Sequence, residues 1–237
     1  MIKEFTIFDK SLEILENKKL LINTINAYSY NVAQKDTLFK EALLNSDVLI
    51  PDGIGVVWAV QFLFGKKINK IAGADLFYYQ MNRLQRLEGS CFFLGSSEDT
   101  LVKIKEKAKK EFPRVKIDSY SPPYKSEFTK TENAIMIQKV NECNPDVLFV
   151  GMTAPKQEKW AYTHFNNLHT GHICSIGAVF DFYAGKVVRA PRWMINLGLE
   201  WLFRLVKEPK RMWKRYLIGN TEFIVAMFKE KLLRNKS

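Results

Sequence analysis

The stretch DVLFVGMTAPKQEKWAYTHF, residues 146–165, decides the fold. Four apolar residues run without interruption from Val147 to Val150, and a glycine and a proline-bearing turn follow. Beyond the turn comes a polar run, PKQEKWAYTHF, that reads as a helix. A short strand with no polar face is one covered on both sides, the situation of a parallel sheet flanked by helices.

The same unit recurs outward in both directions. KKLLINTIN holds a short buried strand at Leu20 to Ile22, then a polar turn and a helical stretch from Ala33 to Leu44, with Leu38, Ala42 and Leu43 at helical spacing. DVLI is broken by Pro51-Asp52-Gly53 and leads to a helix from Ile54 to Phe64. A helix from Asp75 to Leu87 precedes CFFLG, the turn SSEDT and a lysine-rich helix to Phe112. VKIDSY, the helix ENAIMIQKVNE and the last strand, HICSIG, complete the alternation. These elements predict an α/β protein built on a Rossmann-like parallel sheet with helices on both faces. After Gly185 the pattern becomes all-helical, with Pro191 and Pro209 placed to start helices. The division expected is therefore a core over 1–185 and a helical appendage over 186–237.

Charge divides at the same place. The net charge is +11, yet residues 1–185 hold 23 Lys and Arg against 21 Asp and Glu, while residues 186–237 hold 13 against 4. A nearly neutral body with a basic device fits an enzyme better than a uniformly basic nucleic-acid coat. Three widely spaced cysteines (Cys91, Cys143, Cys174) argue for a reducing compartment. The opening MIKEFTIFDK has no apolar core of a secretory signal, and no apolar run has the length of a membrane span.

Ligands of open parallel sheets bind beyond the carboxyl ends of the strands. Four such exits carry chemistry: Thr24 and Asn26; Asp52 and Gly53; Gly95, Ser96 and Ser97; and the Pro155-Lys156-Gln157-Glu158 turn. Asp52 is the carboxylate of the second exit and is suited to take a proton from an attacking hydroxyl, although Pro-Asp-Gly is also ordinary turn chemistry. Ser96, Ser97 and Pro155 mark helix starts, where free amides favour phosphate and where serine also serves as a cap. Thr24 and Asn26 double as turn residues, and Gln157 and Glu158 as partners of a helix dipole. Gly53 and Gly55 give only Gly-x-Gly, short of a dinucleotide fingerprint, which leaves a nicotinamide oxidoreductase without its motif. His164, His169, His172 and Cys174 lack paired metal-ligand spacing, so no metal site and no cofactor is expected.

These stretches, with PDGIGVVW, GMTAPKQEKW, GAVFDFYAGKVVRAPRW and GLEWLFRLVKEP, resemble the WecG/TagA/CpsF family of bacterial glycosyltransferases over essentially the whole chain. The resemblance implies inverting transfer from a UDP-sugar to an undecaprenyl-diphosphate-linked sugar at the inner face of the cytoplasmic membrane. It also implies a GT-E-type Rossmann-like fold with a helical appendage that helps complete the site. By the same resemblance Asp52 is the base and Thr24 its neighbour. Asn26, Gly53, Gly95, Gln157 and Glu158 then belong to the substrate pocket, and Arg204 and Arg211 are appendage cations needed for activity. The donor sugar stays open, with N-acetylmannosamine the foremost expectation. The sequence has no Asp-x-Asp clamp, so helix N-termini and arginines are the expected partners of the departing diphosphate.

The run RLVKEPKRMWKRYLIGN, residues 204–220, carries the basic device. On a regular helix from Pro209, Lys210, Arg211, Lys214 and Arg215 share one face and Met212, Trp213, Tyr216 and Leu217 the other, with Ile218 the exception. That division suits a helix lying on an anionic membrane, and it also suits cations, Arg215 among them, gripping an acceptor diphosphate. Away from a membrane the exposed face offers a surface for self-association. Nucleic-acid binding by the basic aromatic helices is the alternative, but no nucleic-acid module accompanies them.

Overall fold

The computed structural model describes residues 1–234, apart from the side chains of Arg192, Asn196 and Arg211. Six strands form one sheet: β1 Leu20–Ile25, β2 Val48–Pro51, β3 Ser90–Gly95, β4 Lys116–Tyr120, β5 Val147–Gly151 and β6 His172–Ser175. All pairings are parallel, and the order across the sheet is β2-β1-β6-β5-β3-β4. The helices within the sheet-forming part are α1 Ala27–Ala33, α2 Thr37–Leu44, α3 Ile54–Phe64, α4 Gly73–Leu87, α5 Glu98–Glu111, α6 Lys130–Cys143, α7 Lys156–His164 and α8 Gly177–Tyr183. Those after it are α9 Arg192–Asn196, α10 Glu200–Lys207, α11 Pro209–Trp213 and α12 Gly219–Arg234.

Alternation along the strands supplies both covered faces. Phe93 and Phe149 stack at 5.1 Å on one side and pack with Phe77 of α4 and Phe180 of α8. Their neighbours Phe92 and Leu148 point the other way, against Met136 and Val140 of α6 and Trp160 of α7. The sheet is thus the doubly covered parallel sheet that its uninterrupted apolar strands predicted.

All six predicted strands are present, and three local readings change. The helix expected from Ala33 to Leu44 begins only at Thr37, as α2; Ala33 is the last residue of α1, and residues 34–36 separate the two. Asp36 explains the break: its Oδ1 accepts the Phe39 amide at 2.9 Å and starts α2 anew. The polar turn before it is instead the start of α1, where Asn26 Oδ1 accepts the Ser29 amide at 3.0 Å and Ser29 Oγ accepts the Asn26 amide at 2.7 Å. Helix α8 was not expected, because the glycine that opens it reads as the end of the strand.

Within the C-terminal segment Pro191 precedes α9 and Pro209 opens α11, as their positions predicted. The regular helix expected from Pro209 does not continue. A π-helical turn, Lys214–Ile218, intervenes before α12 and shifts the side chains around the axis. The expected apolar face is therefore divided: Met212 is buried, while Trp213 and Leu217 are exposed, as is Ile218. Arg215 leaves the expected basic face and stacks its guanidinium over the Tyr28 ring at 4.3 Å. Helix α12 then packs on α1 and α3, burying Phe223 and Met227, with Phe223 edge-on to Tyr30 at 5.2 Å. The buried Glu230 accepts the Ile2 and Lys3 amides at 2.7 and 3.1 Å, tying α12 to the first residues of the chain. No described helix is long and apolar enough to cross a membrane.

Candidate active site

The carboxyl ends of all six strands open into one polar cavity of about 1160 Å³, lined by Thr24, Asp52, Gly95, Ser121, Gly151 and Ser175 among others. Two glycines make room for it. Gly95 and Gly151 face each other in register, and a side chain on Gly95, whose φ is 118°, would meet the Gly151 carbonyl at 2.4 Å. Gly53 has a φ of 134°, a conformation that lets the chain leave β2 and enter α3 directly after Asp52.

A second cavity, of about 650 Å³, lies between α3, the π turn and α12, and its walls are mainly apolar. Asn26, Tyr28, Asp52, Glu200, Arg204 and Arg215 line both cavities. Four of those six are acids or bases that carry charge at neutral pH in water, and three of the four come from the C-terminal helical segment. The sequence named Asp52, Arg204 and Arg215 for this place; it gave no sign of Glu200, which lies in GLEWLF as one more helical carboxylate.

Burial pushes the Asp52 carboxyl above its ordinary value, and the negative charge of Glu200 pushes it further. Arg204, Lys70 and an amide hydrogen bond from Gly73 oppose that rise. Glu200 is itself held by Lys70 at 3.3 Å and by Arg189 at 3.6 Å. Arg204 stacks on Phe182 at 4.8 Å. Burial also disfavours the charge on Arg215, and its buried Nε has no hydrogen-bond partner among the described residues. A buried donor without a partner is uncommon in a settled interior, and this one belongs to a residue that lines both cavities.

The remaining sequence-predicted residues divide into lining and framework. Thr24 lines the polar cavity beside β2, in register with Ile50. Asn26 also faces both cavities, but its Oδ1 is occupied as the α1 cap. Gln157 lines the cavity while its Oε1 accepts the Met152 and Gly177 amides at 3.2 and 3.1 Å, clamping the β5 exit to the start of α8. Gln157 Nε2 donates to Glu158 Oε1 at 2.8 Å, leaving buried Glu158 Oε2 without a partner among the described residues. Ser97 caps α5 and meets Lys186 Nζ at 3.3 Å, while Ser96 gives its amide to the Gly151 carbonyl at 2.9 Å. Arg211 lies in α11, and its side chain falls outside the described residues. The histidines and Cys174 do not converge: His172 is buried between Gln80 and the Glu16 carbonyl, His164 lies against Trp160, and Cys174 is in the core. Among the described residues no three His, Cys, Asp or Glu side chains are gathered as metal ligands.

Burial raises the Glu158 carboxyl to about 7, only partly offset by Gln157 and Arg215. The folded protein thus retains a proton that the unfolded chain loses near its ordinary 4.5, so stability falls as pH rises between those values. Glu158→Gln is expected to remove that slope and to stabilise the unliganded protein by about 3 kcal/mol above pH 7. Thermal melts of both proteins from pH 4.5 to 8 check this; an unchanged slope in the variant contradicts it.

Comparison with known proteins agrees with this geometry. Residues 3–237 match the model of the glycosyl transferase WecG/TagA/CpsF family. An N-acetylglucosaminyldiphosphoundecaprenol N-acetyl-beta-D-mannosaminyltransferase of Bacillus subtilis (strain 168) is 31% identical over 89% of this chain and 80% of its own length. The protein of the same name from Bacillus spizizenii is 30% identical over 96% of this chain and 87% of its own. One from Staphylococcus aureus (strain MW2) is 24% identical over 92% and 84%. A parallel sheet with its chemistry at the strand ends, matched along nearly its whole length, leaves one conclusion: the chain belongs to the WecG/TagA/CpsF family and is a glycosyltransferase.

Proposed function

We propose that this enzyme is an inverting glycosyltransferase that moves N-acetylmannosamine from a UDP-sugar to an undecaprenyl-diphosphate-linked sugar during cell-surface polysaccharide synthesis. One observation carries the reading: Asp52 lies on the seam between a polar cavity at the strand ends and an apolar cavity under the C-terminal helices. A hydrophilic donor and a lipid-linked acceptor need two chemically different entrances that meet at the base. The relatives' names, which specify a mannosaminyl group and a diphosphoundecaprenol-linked sugar, support the choice of substrates.

Asp52 takes the proton of the acceptor hydroxyl as its oxygen bonds to the anomeric carbon. The bond from that carbon to the diphosphate oxygen breaks on the opposite face, and UDP leaves with the electron pair. Arg204 and Arg215 meet the charge that develops on the diphosphate. Thr24, Asn26, Gly95, Gln157 and Glu158 frame the donor pocket, Gly53 lines the apolar cavity on the acceptor side, and Arg211 is proposed to join the other appendage arginines. Residues 186–237 act as an appendage that closes the site and holds the protein peripherally on the inner face of the cytoplasmic membrane. Exposed Trp213, Leu217 and Ile218, with Lys210 and Lys214 nearby, favour that attachment.

The test is UDP release from a panel of UDP-sugars with and without a lipid-diphosphate-N-acetylglucosamine acceptor. Acceptor-dependent release from UDP-N-acetylmannosamine is expected; release from another donor alone overturns the donor assignment, and silence from every donor overturns the reaction. The same assay examines Glu200. Its negative charge favours the protonated form of Asp52, so Glu200→Gln is expected to lower the pKa of the base. The acid limb of the kcat/KM profile then moves to lower pH, and a shift the other way contradicts the assignment.

A further inference from the structure

The apolar cavity joins two kinds of chemistry. Asp52, Arg204 and Arg215 line it where it meets the polar cavity, and Lys70 lines it as well. Elsewhere its walls are mainly aromatic and aliphatic: Trp58 and Phe62 from α3, Leu217 from the π turn, and Ile224 and Phe228 from α12. Phe62 and Phe228 meet edge-to-face at 5.1 Å, so the two helices close the cavity between them rather than presenting unrelated side chains.

These walls are not buried in the protein's own core. Trp58 is 63% exposed, Phe228 57%, Leu217 54% and Ile224 52%. An exposed apolar patch of this kind on a soluble surface marks a place that something apolar covers. A flat bilayer contact explains a convex patch; it does not explain a concave one that continues to the Asp52 carboxylate. Lys231 Nζ donates to the Phe62 carbonyl at 3.0 Å, and Arg234 lies over the Phe64 ring at 4.8 Å, so α12 also holds the end of α3 through cations.

Resting on the lipid-linked acceptor of the proposed function, we infer that the groove between α3 and α12 binds the first isoprene units of the acceptor's polyprenyl chain. A carboxylate, a cation and hydrocarbon walls in one cavity match the hydroxyl, diphosphate and prenyl chain of such a molecule. The sugar hydroxyl reaches Asp52, the acceptor's diphosphate lies by Lys70, which lines this cavity and not the polar one, and the chain leaves between Trp58 and Phe228. Helix α3 belongs to the sheet-forming part of the chain, so recognition of the lipid is shared between that part and the C-terminal helices.

The experiment uses the full chain in detergent micelles, which removes bilayer attachment as a variable. Acceptors of N-acetylglucosamine diphosphate carrying two isoprene units or about eight are compared. Wild type is expected to prefer the longer chain, and Trp58→Ala with Phe228→Ala to reduce the ratio of kcat/KM values, long over short, about tenfold, or about 1.4 kcal/mol. An unchanged ratio in a variant whose circular dichroism matches wild type overturns the proposal. Because the double variant risks misfolding, wild type is also treated with an acceptor bearing a photoreactive diazirine on its second isoprene unit. Cross-links within residues 54–64 and 219–234 support the groove. Cross-links confined to the Val206–Trp213 region overturn it, as does labelling of the groove by a diazirine phospholipid but not by the prenyl probe. Concentration-dependent dimers that protect the groove from the prenyl probe also overturn it, in favour of a second copy as occupant. Equal turnover of both chain lengths defeats the groove while leaving the proposed reaction intact; no turnover of either defeats the reaction, and the cross-links still decide the groove.

Discussion

Asp52→Asn is expected to reduce acceptor-dependent turnover about 10²–10⁴-fold, the range for loss of a positioned general base. The substitution keeps the shape of the side chain, and its carbonyl oxygen can still accept the Gly73 amide that now meets the carboxylate. Stability should not suffer. Burial and Glu200 raise the Asp52 carboxyl in the folded state, so ionising it there costs more than in the unfolded chain. That penalty grows as pH rises above the ordinary carboxylate range, and asparagine removes it. The variant should therefore melt at or above the wild-type temperature at neutral pH while losing turnover. Melting curves beside single-turnover rates make the comparison. A variant that is fast, or one that is slow only because it unfolds, contradicts the role given to Asp52.

Arg215→Ala is expected to lower kcat about 10²–10³-fold, as removal of one preorganised donor at a developing oxyanion does. The side chain reaches the seam because the π turn rotates it inward, and the Tyr28 ring at 4.3 Å fixes the plane of its guanidinium. Its buried Nε without a described partner is a donor already in position, so in the proposed reaction little reorganisation accompanies the charge that develops on the leaving diphosphate. Arg215→Lys should not restore the rate, because a point charge on a flexible stem replaces neither the fork nor the stacking. The split between constants tests this: a large fall in kcat with a small change in donor KM is expected. A rise in KM at unchanged kcat would mean that Arg215 serves ground-state binding alone.

The sheet was legible because each strand carries its own signature. VLFV, CFFL and VLI are apolar without alternation, and only a doubly covered strand tolerates that. Helix starts were less so. Asn26 and Asp36 act as caps through side-chain hydrogen bonds that a reading by apolar period alone passes over. Strand ends put Thr24, Asp52, Gly95 and Glu158 in one cavity, as the rule for open sheets predicts. Gln157 shows the limit of such a rule: it lines the cavity, yet its amide is committed to Met152, Gly177 and Glu158.

The seam itself was not legible. A wheel of constant pitch cannot foresee the π turn at Lys214–Ile218, and with constant pitch Arg215 belongs with the solvent-facing cations. The apolar groove joins Trp58 and Phe62 to Ile224 and Phe228, residues far apart in the chain. Within IGVVWAVQFLF nothing distinguishes Trp58 from its buried neighbours Val56 and Ala59, since the run is apolar on every side. Glu200 gains its importance only from what surrounds it: Lys70, Arg189 and, across the seam, Asp52.

The central claim is that donor and acceptor enter through different cavities and meet in line at Asp52. The stereochemistry of the product tests it most directly. Nuclear magnetic resonance of the disaccharide made from an α-linked UDP-N-acetylmannosamine should show a β linkage, because attack comes from the face opposite the departing UDP. An α linkage would require attack from the same face or a covalent intermediate, and either contradicts displacement across the seam.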